Sequence, residues 1–91
     1  MKLKSLILTA ALAALAGGAS AEGIKVGMIT TLSGGGAGLG IDVRDGFMLA
    51  IGQSDRSDIE VVIEDDQRKP DVAVQLADKM IQSEKVDVMT G

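Results

Sequence analysis

The chain has no cysteine, histidine, tryptophan or tyrosine, and its 91 residues include a single phenylalanine and a single proline. Each absence removes a class of chemistry. Without cysteine or histidine there is no disulfide, no zinc site of the usual kind, no haem attachment and no Ser-His or Cys-His nucleophile pair. With 1% aromatic residues there is almost no surface on which bases could stack. The net charge of -4 repels a phosphate backbone, so the composition argues against nucleic acid as a partner. Glycine, by contrast, is abundant at 12 residues, and 46% of the chain is hydrophobic.

Those averages combine two unlike segments. Residues 1–21 read as a secretory signal peptide. Lys2 and Lys4 make a positive start, an uncharged apolar run extends from Leu6 to Ala16, Gly17-Gly18 breaks it, and Ala19-Ser20-Ala21 offers the small residues a signal peptidase requires. The run is too short to span about 30 Å of hydrocarbon. No cysteine stands at the cleavage point, so the expected product is an exported, periplasmic chain without a lipid anchor. Residues 22–91 hold seven basic and 13 acidic side chains, a net charge of -6.

The remaining residues alternate between two periodicities. Ile24-Lys25-Val26-Gly27-Met28-Ile29, ending in Thr30-Thr31, reads as a strand buried on both faces. Ser33-Gly34-Gly35-Gly36-Ala37-Gly38-Leu39-Gly40 carries too much glycine for a regular element and reads as a loop. From Ile41 to about Ser54 the pattern is helical, with Val43, Gly46, Phe47 and Ala50 on one face. Gly46 lowers the helix propensity there, which a close approach to a sheet would offset. Asp42 and Asp45 then fall in the first turn, where the helix dipole favours them. A polar turn, Gln53 to Asp58, leads to a second strand, Ile59 to Ile63, and to the acidic cluster Glu64-Asp65-Asp66. Pro70 suits the first position of a second helix running to about Ser83, with an apolar stripe of Val72, Ala73, Leu76, Ala77, Met80 and Ile81. Val86-Asp87-Val88-Met89 reads as a third strand.

The order β-α-β-α-β predicts the start of a doubly wound α/β fold with parallel strands, right-handed crossovers and spatial order 2-1-3. Seventy residues make a marginal core, and a third strand without a further neighbour leaves an open apolar edge. On both grounds the chain is expected to be the opening part of a larger α/β domain.

Two sites stand out. The glycine-rich loop does not complete a phosphate-binding motif: Gly35 and Gly40 have the P-loop spacing, but Ile41-Asp42 follows where Lys-Ser/Thr is required. The dinucleotide fingerprint also fails, since Gly35, Ala37 and Gly40 lack its middle glycine and Gly36, Gly38 and Ile41 its last, although Asp65 could stand in for the ribose-binding acid. What remains is a strand feeding through Thr31 and Ser33 into a helix N-terminus, a place where free N–H groups meet a small anion. In Glu64-Asp65-Asp66 adjacent side chains point to opposite faces, so the carboxylates do not converge on one atom, and a solvated strand end is the expectation. A calcium loop's alternating oxygen ligands are missing.

Ile24-Lys25-Val26-Gly27 after an export signal, Leu32-Ser33-Gly34, Gly40, and Gly46-Phe47-Met48-Leu49-Ala50-Ile51 together resemble the type I periplasmic solute-binding proteins. The likeness is nearest to the Leu/Ile/Val-binding family of ABC importers. Glu64-Asp65-Asp66, Pro70, Ala73, Ala77-Asp78-Lys79-Met80-Ile81 and Val86-Asp87-Val88-Met89-Thr90-Gly91 continue the pattern in order. The resemblance implies a two-lobed fold closing on a small ligand, of which residues 22–91 supply the beginning of the first lobe. It implies a non-enzymatic partner of an inner-membrane permease, with no cofactor, that captures a branched-chain or related amino acid. The implied ligand-binding residues are Ser33, Gly34, Leu39 and Gly40 of the first loop, Leu39 touching the ligand side chain. The residues that grip an amino acid's carboxylate and ammonium are implied to follow the third strand, where this chain stops. Two departures keep the ligand class open. Gln53 to Asp58 replaces a usual Asn and Gly-Gly turn, and Gly35-Gly36-Ala37-Gly38-Leu39 lacks the Pro or aromatic of many members, so amides and aromatic carboxylates remain alternatives. Two other classes also stay open: a small nucleotide-binding domain, and an interaction module using the third strand's edge.

Overall fold

The computed structural model describes residues 23–91; the signal-peptide reading lies outside the described residues. Strand β1 (Ile24–Thr30) is followed by a single 3-10 turn at Gly34–Gly36 and helix α1 (Ala37–Gln53). Then come β2 (Ile59–Asp65), α2 (Pro70–Gln82) and β3 (Val88–Thr90). The sheet has order β2-β1-β3 with both pairings parallel, the α/β arrangement that the alternation predicts. Seven residue pairs join β1 and β2, from Ile24 opposite Ile59 to Thr30 opposite Asp65, whereas β3 meets β1 only from Val26 to Met28.

Parity along β1 assigns the two helices to opposite faces. The Thr30 hydroxyl donates to the Gly40 carbonyl at 3.2 Å, so α1 lies on the even-numbered side. On the odd-numbered side, a side chain at Gly27 would lie 2.6 Å from the Met80 sulfur, so α2 covers that face. Two ion pairs agree with this placement: Lys25 reaches Glu84 just beyond α2, and Lys79 of α2 reaches Glu64. The core is correspondingly narrow. Val26, Met28 and Met80 are its buried apolar side chains, with Thr30 the buried polar one, its hydroxyl satisfied by Gly40.

Pro70 opens α2, and of the stripe assigned from sequence, Val72, Ala73, Leu76, Ala77 and Met80 are covered while Ile81 is exposed. The other helix corrects four expectations. It begins at Ala37 instead of Ile41, absorbing the second half of the glycine-rich stretch. Its first turn therefore contains no acidic residue, and Asp42 and Asp45 do not sit there. The glycine that permits close approach is Gly40, not Gly46: a methyl on Gly40 would overlap the Thr31 carbonyl oxygen, while one on Gly46 would meet nothing within 4 Å. The physical reason is that packing against β1 overrides the low helix propensity of glycine. Val43, Gly46 and Ala50 are exposed, and the more covered line runs through Gly40, Arg44, Phe47 and Ile51.

The last strand also starts later than expected, at Val88. Val86 donates its N–H to the Met80 carbonyl at 3.1 Å, and Lys85 adopts a left-handed conformation (φ 56°) so that the chain can turn back there. Asp87 then brackets Lys25, its N–H donating to the Lys25 carbonyl and its carboxylate accepting the Lys25 N–H. In the polar turn between α1 and β2, the Arg56 guanidinium grips Asp58 through two bonds and holds its carboxyl below the usual range. Among the described residues no helix is long and apolar enough to cross a membrane.

Candidate ligand crevice

Two depressions mark the described surface. The larger, about 440 Å³, lies at the N-terminal ends of the strands among Lys25, Glu60, Glu84, Lys85 and Asp87, whose charges are already paired in part. The smaller, about 280 Å³, lies where β1 ends and α1 begins. Ligands of open parallel sheets sit outside the carboxyl ends of the strands, where neighbouring connections leave in opposite directions. With β1 flanked by β2 and β3 and its helices on opposite faces, the smaller depression occupies that position. It is the candidate site.

One side of it is apolar, formed by Ile29, Leu39 and Val43. The polar side comprises Thr30, Thr31 and Asp66, and the backbone of Gly36, Gly40 and Gly91 completes the lining. Both threonine hydroxyl protons are committed internally, Thr30 to the Gly40 carbonyl and Thr31 to Asp66 at 2.6 Å. These side chains therefore offer lone pairs to the crevice. At the start of α1 there is no side-chain cap at Gly36 and no carboxylate in the first turn, and the Ala37 N–H is bonded to the Gly34 carbonyl.

Of the four residues singled out from the sequence, Leu39 and Gly40 line the crevice and Ser33 and Gly34 do not. Leu39 is 76% exposed, which leaves its side chain free to meet a ligand. Gly40 is buried and acts by letting α1 approach β1. Gly34 has φ 78° and starts the 3-10 turn, a conformation that favours glycine. Ser33 is exposed and lies outside the crevice lining.

The acidic cluster is where the structure adds most. Its carboxylates do not converge, as strand geometry requires, yet they are not simply solvated. Asp65 accepts the Leu32 and Gln67 N–H groups, each at 2.8 Å, and Asp66 accepts the Thr31 hydroxyl and the Arg68 N–H. Hydrogen bonds from the Ser33 hydroxyl first, then from Leu32 and Gln67, hold the Asp65 carboxyl below its usual range against a smaller opposing effect of burial. Asp66 was missed as a lining residue, and Thr31 entered only as part of the path from strand to helix. The available signal was an aspartate two residues ahead of a turn, the pattern in which a side chain bonds its own backbone.

A family model described as periplasmic binding protein matches residues 23–91, well over half of the chain. No curated protein matches it.

Proposed function

Since the chain belongs to the periplasmic binding protein family, we propose that it serves an ABC importer by capturing a branched-chain or related amino acid in the periplasm and passing it to the permease. The observation that carries this reading is the coincidence of the family match with an open crevice at the carboxyl end of β1, lined on one side by Ile29, Leu39 and Val43 and on the other by Thr30, Thr31 and Asp66. The ligand's side chain would lie against Leu39 and Val43. Capture and release need no covalent step, and no residue of the crevice is assigned a catalytic role. Export would depend on the N-terminal segment with Lys2, Lys4 and the apolar run.

The crevice is one wall of a cleft in this reading. A ligand resting on Leu39 keeps a face toward solvent, so the burial that gives tight binding, about 25 cal/mol per Å² of apolar surface, is only partly gained. The test is a two-dimensional NMR titration of the chain with leucine and, separately, with 4-hydroxybenzoate. Millimolar leucine is expected to shift the amides of Thr31, Leu39 and Gly40. Shifts with the aromatic acid alone transfer the assignment to aromatic carboxylates, and no shift with either overturns the binding role. Micromolar affinity for either would refute the one-wall description.

A further inference from the structure

Asp65 and Asp66 make the same figure twice. One oxygen of each carboxylate is shared between a donor from the stretch after β1 and the N–H of the residue two places further on: Leu32 and Gln67 for Asp65, Thr31 and Arg68 for Asp66. Gln67 and Arg68 are consecutive left-handed residues (φ 55° and 59°), a conformation that side-chain-bearing residues adopt only when held. The two carboxylates thus hold the turn at two successive residues. A third link runs through the backbone, where Asp66 donates its N–H to the Thr30 carbonyl at 3.1 Å. The Arg68 aliphatic chain also packs beside Gly36, the residue from which α1 departs.

We infer that Asp65 and Asp66 are positioning residues that join residues 31–33 and the turn at 66–69 into one body, so that the turn sets the shape of the crevice wall. The inference deepens, and rests on, the reading of the crevice as the ligand-facing surface. The junction itself is measured without ligand.

Amide hydrogen exchange followed by NMR tests it on the full chain. Thr31→Val keeps the side chain's shape and removes only the donor to Asp66. Joined loops respond together: exchange should rise roughly threefold to tenfold, the factor for one lost hydrogen bond, at Leu32, Gln67 and Arg68. Val26 and Met28 should hold their rates. The Gln67 amide is the critical probe because it bonds Asp65 and not Asp66. Unchanged exchange at Gln67 overturns the inference. Should Thr31→Val open β1 as well, the comparison of Asp66→Asn with Asp66→Ala decides: the amide retains an acceptor and should keep Leu32 and Gln67 protected, and equal exchange in the two variants overturns the inference. A leucine titration of the unaltered chain runs alongside. Absence of any shift there counts against the binding role and leaves the exchange result standing.

Discussion

Replacing Gly40 by alanine should cost far more stability than the same replacement at Gly46, six residues further along α1. An added methyl raises helix propensity at both positions by up to about 1 kcal/mol, so the intrinsic gain largely cancels when the two variants are compared. At Gly46 nothing lies within 4 Å of the new carbon, and the gain should appear as about 0.5–1 kcal/mol of stabilisation. At Gly40 the methyl would overlap the Thr31 carbonyl oxygen and lie 2.6 Å from its carbonyl carbon and 3.0 Å from the Thr30 hydroxyl. Backbone cannot rotate aside as a side-chain tip can, so α1 must lift from β1. Overpacking of that kind costs about 1–3 kcal/mol. Lifting also breaks the Thr30–Gly40 bond, and a buried hydroxyl left unpaired costs about 1–3 kcal/mol more. The two variants should therefore differ by about 2–6 kcal/mol. Urea unfolding read by far-ultraviolet circular dichroism is the suitable assay, because the chain has no tryptophan or tyrosine to fluoresce. Placing Gly40→Ala in the Gly46→Ala background keeps the transition measurable if the single variant unfolds in water. Coincident midpoints for the two single variants, or a more stable Gly40→Ala, would contradict a close approach of α1 to β1 at Gly40.

Three further outcomes follow from the same geometry. The Asp65 carboxyl titrates below its ordinary value of 3.8, so its contribution to stability is fully present above that pH and is lost as the pH falls through the folded-state value. Unfolding midpoints against pH should show an acid limb that is shallower in Asp65→Asn, and equal slopes would contradict the bonding described. Lys85 holds φ 56° without the freedom of glycine, so Lys85→Gly should raise stability by roughly 0.5–1 kcal/mol in the same urea assay, a loss of stability being the contrary result. At Gly27 a methyl would lie 2.6 Å from the Met80 sulfur and 3.1 Å from a Val86 methyl. Gly27→Ala should cost about 1–3 kcal/mol and be partly restored by adding Val86→Ala, whereas strict additivity of the two changes would argue against that contact.

Much of this fold was legible because its elements follow local rules. The β-branched runs at Ile24–Ile29 and Ile59–Ile63 became strands, and Pro70 with the apolar stripe through Met80 became a helix covering β1. The start of α1 was not legible, since glycine propensity argues for a loop while the decisive contact is with Thr31, a residue outside the helix. Val86 looked like strand because it is apolar and β-branched, but its backbone is taken by the end of α2. The site divides along the same line. Leu39 and Gly40 were named through the family resemblance alone, and both line the crevice. The bonds from Asp65 and Asp66 to residues more than thirty positions earlier depend on the register of β1 with β2, which no local pattern contains.

The strand order has a consequence for when this protein can fold. β1 is made first and sits at the centre of the sheet, yet its partners are Ile59–Asp65 on one side and Val88–Thr90 on the other. Synthesis from the N-terminus delivers the middle of these three strands first and β3 after both of the others. Until residue 88 has emerged, Met28 and Val26 have a strand on one side at most, and loop closure over some sixty residues must precede the last pairing. Such a topology delays compaction of these three strands until β3 is available to pair with β1.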